Sequence, residues 1–195
     1  QLPSDLLVSM SILDLQLEPV RVDRLSRLFG ILFHIGAFIG IVFSLHSRDR
    51  TQHVAALAYA GSALGAVFAG DLLTLFVFWE LLAVSSVFLI FASRTERSYG
   101  AGMRYLVIQV ISGVLLLAGA LILYGQSGSL RFEHIGLSGA GSMLIFIAFG
   151  IKCAFPLLHN WLTDAYPEAT PTGTVFLSAF TTKVAVYALA RGFAG

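Results

Sequence analysis

Charge is what this sequence has least of. Only 12% of its 195 residues are Asp, Glu, Lys or Arg, about half the share of an ordinary soluble domain, so a chain with a mostly wetted surface is excluded. The net charge of +1 provides no field for nucleic acid or another polyanion. A single cysteine, Cys153, cannot close an internal disulfide, and inside an apolar run it reads as a small packing residue. Metal, nucleophile and phosphate-loop signatures are absent too: there is no cysteine pair, carboxylate cluster or Gly-x-x-x-x-Gly-Lys. The chain opens on Gln1 with no basic, then apolar, leader ahead of a cleavage site, and reads as a mature or partial chain.

What is present is apolar: 57% of residues are hydrophobic. A membrane-spanning helix needs roughly 20 such residues, and the sequence divides into about six spans joined by short connections. They run from Ser26 to Leu45, Val54 to Gly70, Leu72 to Ser93, Tyr105 to Tyr124, Ser142 to Leu162 and Thr174 to Phe193. The expected fold class is therefore all-α, a polytopic membrane bundle over residues 26–195 with one broken helix, preceded by a surface segment, 1–25. In that segment Leu15, Leu17, Val20 and Val22 roughly alternate with polar residues, suggesting a strand pair or an extended stretch. Gly36 with Gly40, and Gly61 with Gly65, place small residues four apart where a neighbouring backbone could approach. Orientation does not follow from the arginines: Arg48, Arg50, Arg94, Arg97 and Arg104 on one side balance Arg21, Arg24, Arg27, Arg131 and Arg191 on the other.

All ten arginines lie in connections or at span ends, where a long side chain reaches water. The two lysines, Lys152 and Lys183, and one acidic residue, Glu80, lie instead near mid-span, about 13–17 Å deep for the lysines by helical rise. A charge at that depth costs about 2.5–3.5 kcal/mol on insertion scales, so the three must be paired, hydrated or neutral. Burial favours the neutral form of an amine or a carboxyl and a nearby opposite charge favours the charged form, so such groups can trade protons near neutral pH. The structural alternative is a static ion pair that fixes helix register.

Pro156 lies four residues after Lys152 and removes the hydrogen bond to the lysine's carbonyl, so the helix should open there. Broken backbone at membrane depth is tolerated only inside protein or along a wet cavity. His159, seven residues on, would share the lysine's face on a continuous helix and could relay a proton, or else end a helix at the interface. His34, midway along the first span, reads as a core histidine with one satisfied hydrogen bond. Asp164 to Gly173, with Pro167 and Pro171, reads as a connecting loop.

Four runs carry a resemblance: Asp71-Leu-Leu-Thr-Leu-Phe-Val-Phe-Trp-Glu80, Gly150-Ile-Lys152-Cys-Ala-Phe-Pro156-Leu-Leu-His159-Asn-Trp161-Leu-Thr-Asp164, Pro171-Thr-Gly-Thr and Thr182-Lys183-Val-Ala-Val-Tyr187. In order and spacing the chain from about Val22 onward resembles the antiporter-like proton-channel subunits of Mrp-type cation/proton antiporters, respiratory NADH:quinone oxidoreductase (complex I) and membrane-bound hydrogenases. The resemblance implies that Glu80 is the family's glutamate, Lys152 the lysine on the broken helix and Lys183 the bridging lysine, with His159 at a further polar position. The Thr-Lys-Val-x-Val-Tyr segment looks more like the D subunit of Mrp-type antiporters than the distal complex I subunit. Family members have about fourteen helices in two inverted repeats, so the chain would hold the first repeat with one preceding helix. The implied role is proton translocation within a multisubunit complex of the bacterial inner membrane. The implied partners are other membrane subunits, lipid, protons and, in an antiporter, sodium; no cofactor and no nucleic acid are expected. The alternatives are a complex I or hydrogenase subunit, a purely structural subunit, or a contributor to quinone chemistry.

Overall fold

The computed structural model describes residues 6–12 and 15–194. Residues 1–5, 13, 14 and 195, which include parts of both sequence-read segments, lie outside the described residues. Two antiparallel strands come first, β1 (Leu6–Ile12) and β2 (Leu15–Val22), with a register irregularity between Val8 and Met10. Seven helices follow among the described residues: α1 (Arg24–Ser44), α2 (Arg50–Phe68), α3 (Leu72–Phe91), α4 (Glu96–Ser127), α5 (Ala140–Lys152), α6 (Asn160–Ala165) and α7 (Pro171–Phe193).

Most of these helices begin where a side chain can satisfy the free amides of the first turn. Asp23, Asp49, Asp71, Thr95 and Thr170 cap α1, α2, α3, α4 and α7 respectively, and Pro171 starts α7 where its missing N–H costs nothing. At its far end α4 stops on Gly128, which takes the left-handed conformation at φ 68°.

Among the described residues four helices, α1, α3, α4 and α7, are long and apolar enough to cross a membrane, and α5 is a shorter apolar helix. The sequence expectation of about six spans needs two adjustments. The second predicted span is a helix, α2, but its polar opening turn, Thr51-Gln52-His53, leaves it short of an apolar crossing length. The fifth is no continuous helix: α5 ends at Lys152 and α6 begins only at Asn160. α4 is longer than predicted, because its opening stretch from Glu96 to Arg104 stays helical ahead of the apolar run.

Outward faces are greasy, as lipid requires. On α1, Leu28, Ile31, Ile35, Phe38 and Ile39 are all more than half exposed. The core lies between α2, α3, α4, α5 and α7, around Tyr59, Trp79, Tyr105, Phe149, Phe180 and Tyr187. At Gly40 and Gly65 the close neighbours are the rings of Phe176 and Phe78 rather than another backbone, while nothing approaches Gly61.

Polar contacts close the two ends of the bundle. At the hairpin end, the buried Asp71 carboxylate accepts from the Glu18 N–H at 2.8 Å, and Arg131 pairs with the Glu18 carboxylate at 2.5 Å. There too Arg191 pairs with Asp23 at 2.7 Å and donates to the Tyr187 hydroxyl at 2.7 Å. At the opposite end, Arg94 pairs with Asp49 at 3.0 Å, and Arg104 grips both oxygens of Asp164 at 2.7 and 2.8 Å.

Candidate functional site

Three helices meet around one lysine. Lys152 is the last residue of α5 and fully buried. Its Nζ donates to the main-chain carbonyl of Trp79 at 3.1 Å and lies 4.6 Å from the centroid of the Trp79 ring. Glu80, the residue after Trp79, is half-buried, and its Oε1 is fully enclosed without a hydrogen-bond partner. That oxygen rests against Gly113 on α4, in space that a Cβ there would fill. The Trp79 indole N–H donates to Ser112 at 3.0 Å, and Ser112 donates to the Ala148 carbonyl at 2.8 Å, stitching α3, α4 and α5 together beside the lysine.

The chain breaks directly after Lys152. Pro156 has no N–H to offer the lysine's carbonyl, and Ala154 and Leu157 both take positive φ, 60° and 73°. The Phe155 N–H reaches back to the Gly150 carbonyl at 3.0 Å, and its ring packs where a side chain at position 150 would stand. The Ile151 carbonyl, which accepts a tight-turn bond from the Ala154 N–H at 3.1 Å, also accepts from the Trp161 indole at 2.9 Å. A polar main chain at membrane depth is thus partly satisfied from α6.

Of the sequence-predicted residues, Lys152 lies against the turn of α3 that carries Glu80, through the Trp79 carbonyl, but among the described residues no ion pair joins the two side chains. Lys183 lies midway along α7 but is exposed, its Nζ donating to the Ser178 carbonyl at 2.7 Å. His159 is exposed at the N-cap of α6, with no capping bond from its side chain. Because the helix ends at Lys152, the expected common face for Lys152 and His159 does not form; the alternative, a histidine at a helix end, is the one observed. His34 has its single bond, to the Gly30 carbonyl at 2.7 Å, but is exposed rather than in the core. A mid-span position fixes depth and leaves the facing direction open.

Further polar groups inside the bundle are absent from the sequence-predicted set. Gln109 on α4 is fully buried, and neither its amide nitrogen nor its oxygen has a partner. It stands one helical turn before Gly113. Further along, the Tyr59 hydroxyl bonds Thr181, Tyr166 donates to the Leu177 carbonyl at 2.9 Å, and Tyr105 meets Ser86 at 2.8 Å. A glutamine inside an apolar run is a signal the sequence does carry. The tyrosines give none, since aromatics are ordinary core residues.

The transmembrane profile of the NADH:quinone oxidoreductase/Mrp antiporter family matches residues 69–194. The chain belongs to that family. Among family relatives, subunit N of the NADH-quinone oxidoreductase of Desulforudis audaxviator is 38% identical over 187 residues, covering 86% of this chain and 37% of the relative. An Na(+)/H(+) antiporter subunit of Alkalihalophilus pseudofirmus is 30% identical over 191 residues, covering 88% of this chain and 24% of the relative. The Mrp complex of Dietzia sp. DQ12-45-1b contains a chain with the same fold, at a TM-score of 0.81 and 24% identity over 96% of this chain and 38% of that one. The chain spans between 24% and 39% of the length of such curated family members.

Proposed function

We propose that this chain carries a proton-conducting part of a subunit in a multisubunit cation/proton antiporter of the Mrp type. The observation that carries the proposal is Lys152: an amine with no exposed surface, held at a helix break and next in space to the Glu80-bearing turn of α3. An amine in such a site gains and loses its proton as the adjacent carboxyl changes state, because pairing and desolvation work against each other. The Glu80 oxygen and the Gln109 amide, buried and unpartnered, are groups that water would connect. Lys183, exposed on α7, is the point at which the proton leaves this part of the protein. Inner-membrane location, other membrane subunits as partners and sodium as the exchanged cation belong to the same proposal.

A second reading, a proton-pumping subunit of a complex I-type oxidoreductase, is favoured by the 38% identity to a subunit N. Inverted vesicles from cells carrying the full operon separate the two, with a pH-sensitive dye following proton movement after adding sodium or NADH. Glu80→Gln and Lys152→Ala should each abolish the signal while the complex still assembles, and the effective addition identifies the complex. Transport that survives Lys152→Ala overturns the proposal and leaves the buried lysine a structural device.

A further inference from the structure

The outer seam between α2 and α3 opens into a groove of about 540 Å3 at the end opposite the hairpin. Ala55, Ala58 and Ser62 line it from α2, and Leu81, Val84 and Phe88 from α3. Its deep hydroxyls are already spent within their own helices: Ser62 donates to the Ala58 carbonyl at 2.7 Å and Ser85 to that of Leu81 at 2.6 Å. Whatever fills the deep end is therefore hydrocarbon.

The mouth differs. Arg50 lines it together with Thr51. Arg50 is exposed and makes no ion pair among the described residues. Its neighbour Asp49 is engaged elsewhere, accepting from the Thr51 and Gln52 amides at 3.0 and 3.4 Å and pairing with Arg94. A guanidinium with a free fork at a membrane surface suits a phosphate.

Length separates a lipid from a partner helix. Between Arg50 and Ser62 the groove follows α2 for about 18 Å, close to one leaflet of hydrocarbon at about 15 Å. With Arg50 at the membrane surface, that length ends near mid-membrane, as one acyl chain does; beyond it the seam passes into a separate hollow that Pro19, Val20 and Val22 of β2 help to wall, so it offers no uninterrupted track for a spanning helix.

We propose that the α2–α3 groove binds one acyl chain of an anionic glycerophospholipid whose phosphate rests on Arg50. The test uses the full-length protein in its native complex, reconstituted with vesicles containing phosphatidylglycerol or phosphatidylcholine that carries a photoactivatable diazirine on one acyl chain. Cross-linked peptides are mapped by mass spectrometry, and the exposed face of α1 around Ile35 and Phe38 reports ordinary bilayer contact. Residues 54–62 and 81–88 should be labelled above that face, and about fivefold more by phosphatidylglycerol than by phosphatidylcholine. Arg50→Gln should erase the headgroup preference without removing the adducts. Ala58→Trp, at an outward position, should remove the adducts with either lipid. Labelling no stronger than on α1, the result expected if a partner helix covers the seam, overturns the proposal. Labelling that is indifferent to Ala58→Trp, or a preference that survives Arg50→Gln, overturns it as well.

Discussion

The space where a side chain would begin at Gly113 of α4 is taken by a carboxylate oxygen of Glu80 on α3. The missing side chain is what lets a carboxyl stand inside the bundle beside Lys152. Gly113→Ala should push Glu80 from this place and cost about 1–3 kcal/mol as overpacking. Thermal denaturation of the purified protein gives the cost, and the vesicle assay should show transport lost in step with it. Gly61→Ala, inside α2 where nothing lies within 4 Å, is the matched control and should leave transport unchanged and stability equal or raised by up to about 1 kcal/mol.

Gln109 has its whole amide buried without a partner, and a dry unpaired polar group costs about 1–3 kcal/mol. Gln109→Leu should therefore stabilise the fold, by about 1 kcal/mol, while lowering proton movement in vesicles. A variant less stable than the native protein would mean that the amide is fully satisfied in the membrane.

The break after Lys152 turns on two positive-φ residues that are not glycine. A left-handed conformation costs an ordinary residue about 1–2 kcal/mol and a β-branched one more. Ala154→Val should lower the melting transition by about 1–2 kcal/mol beyond native alanine, and Ala154→Gly should not lower it. Equal stability in all three would show that the break is held by Trp161 and Phe155 rather than by the backbone at 154.

Much of this architecture is legible in the sequence. The apolar runs announce the crossing helices, Pro156 announces where one breaks, and the depth of Glu80 and Lys152 announces that neither can stand alone. The path of the chain beyond the break is not legible, because Ala154 and Leu157 carry no turn signature. The register that would place His159 above Lys152 is lost with it. Depth alone points His34 inward, and apolar periodicity misleads there because α1 turns Ser26, Gly30, Phe33, Gly40 and Ser44 toward the bundle and most of its large apolar residues outward. Arg97 and Arg104 end the apolar run and so give the start of α4 the look of a connection; the helix continues because Thr95 caps it and Asp164 receives Arg104.

At the hairpin end, the start of α1 should respond to acid. Burial works to raise the Asp23 carboxyl, and the Ser26 N–H and the Arg191 guanidinium outweigh it, holding it below the usual aspartate range. A group depressed on folding lends stability that is fully present above its unfolded value, near 4, and is lost as pH falls through the lower folded one. Native protein in detergent should therefore lose more stability between pH 6 and 3 than Asp23→Asn, whose amide can still cap the helix. Parallel curves for the two would remove Asp23 from the acid response.

Lys152 leans on an atom that no side-chain replacement can delete. Its acceptor is the peptide oxygen of position 79, so an alanine or leucine there takes away the ring and leaves the bond. A scan that reads substitution effects alone will under-report this contact. The oxygen also travels with the backbone that carries Glu80, so a slide or twist of α3 moves acceptor and carboxyl as one body. The lysine is thereby tied to the position of a neighbouring rod as directly as to the charge that rod bears, and a mechanical displacement of α3 and a change in protonation would reach it through the same peptide unit.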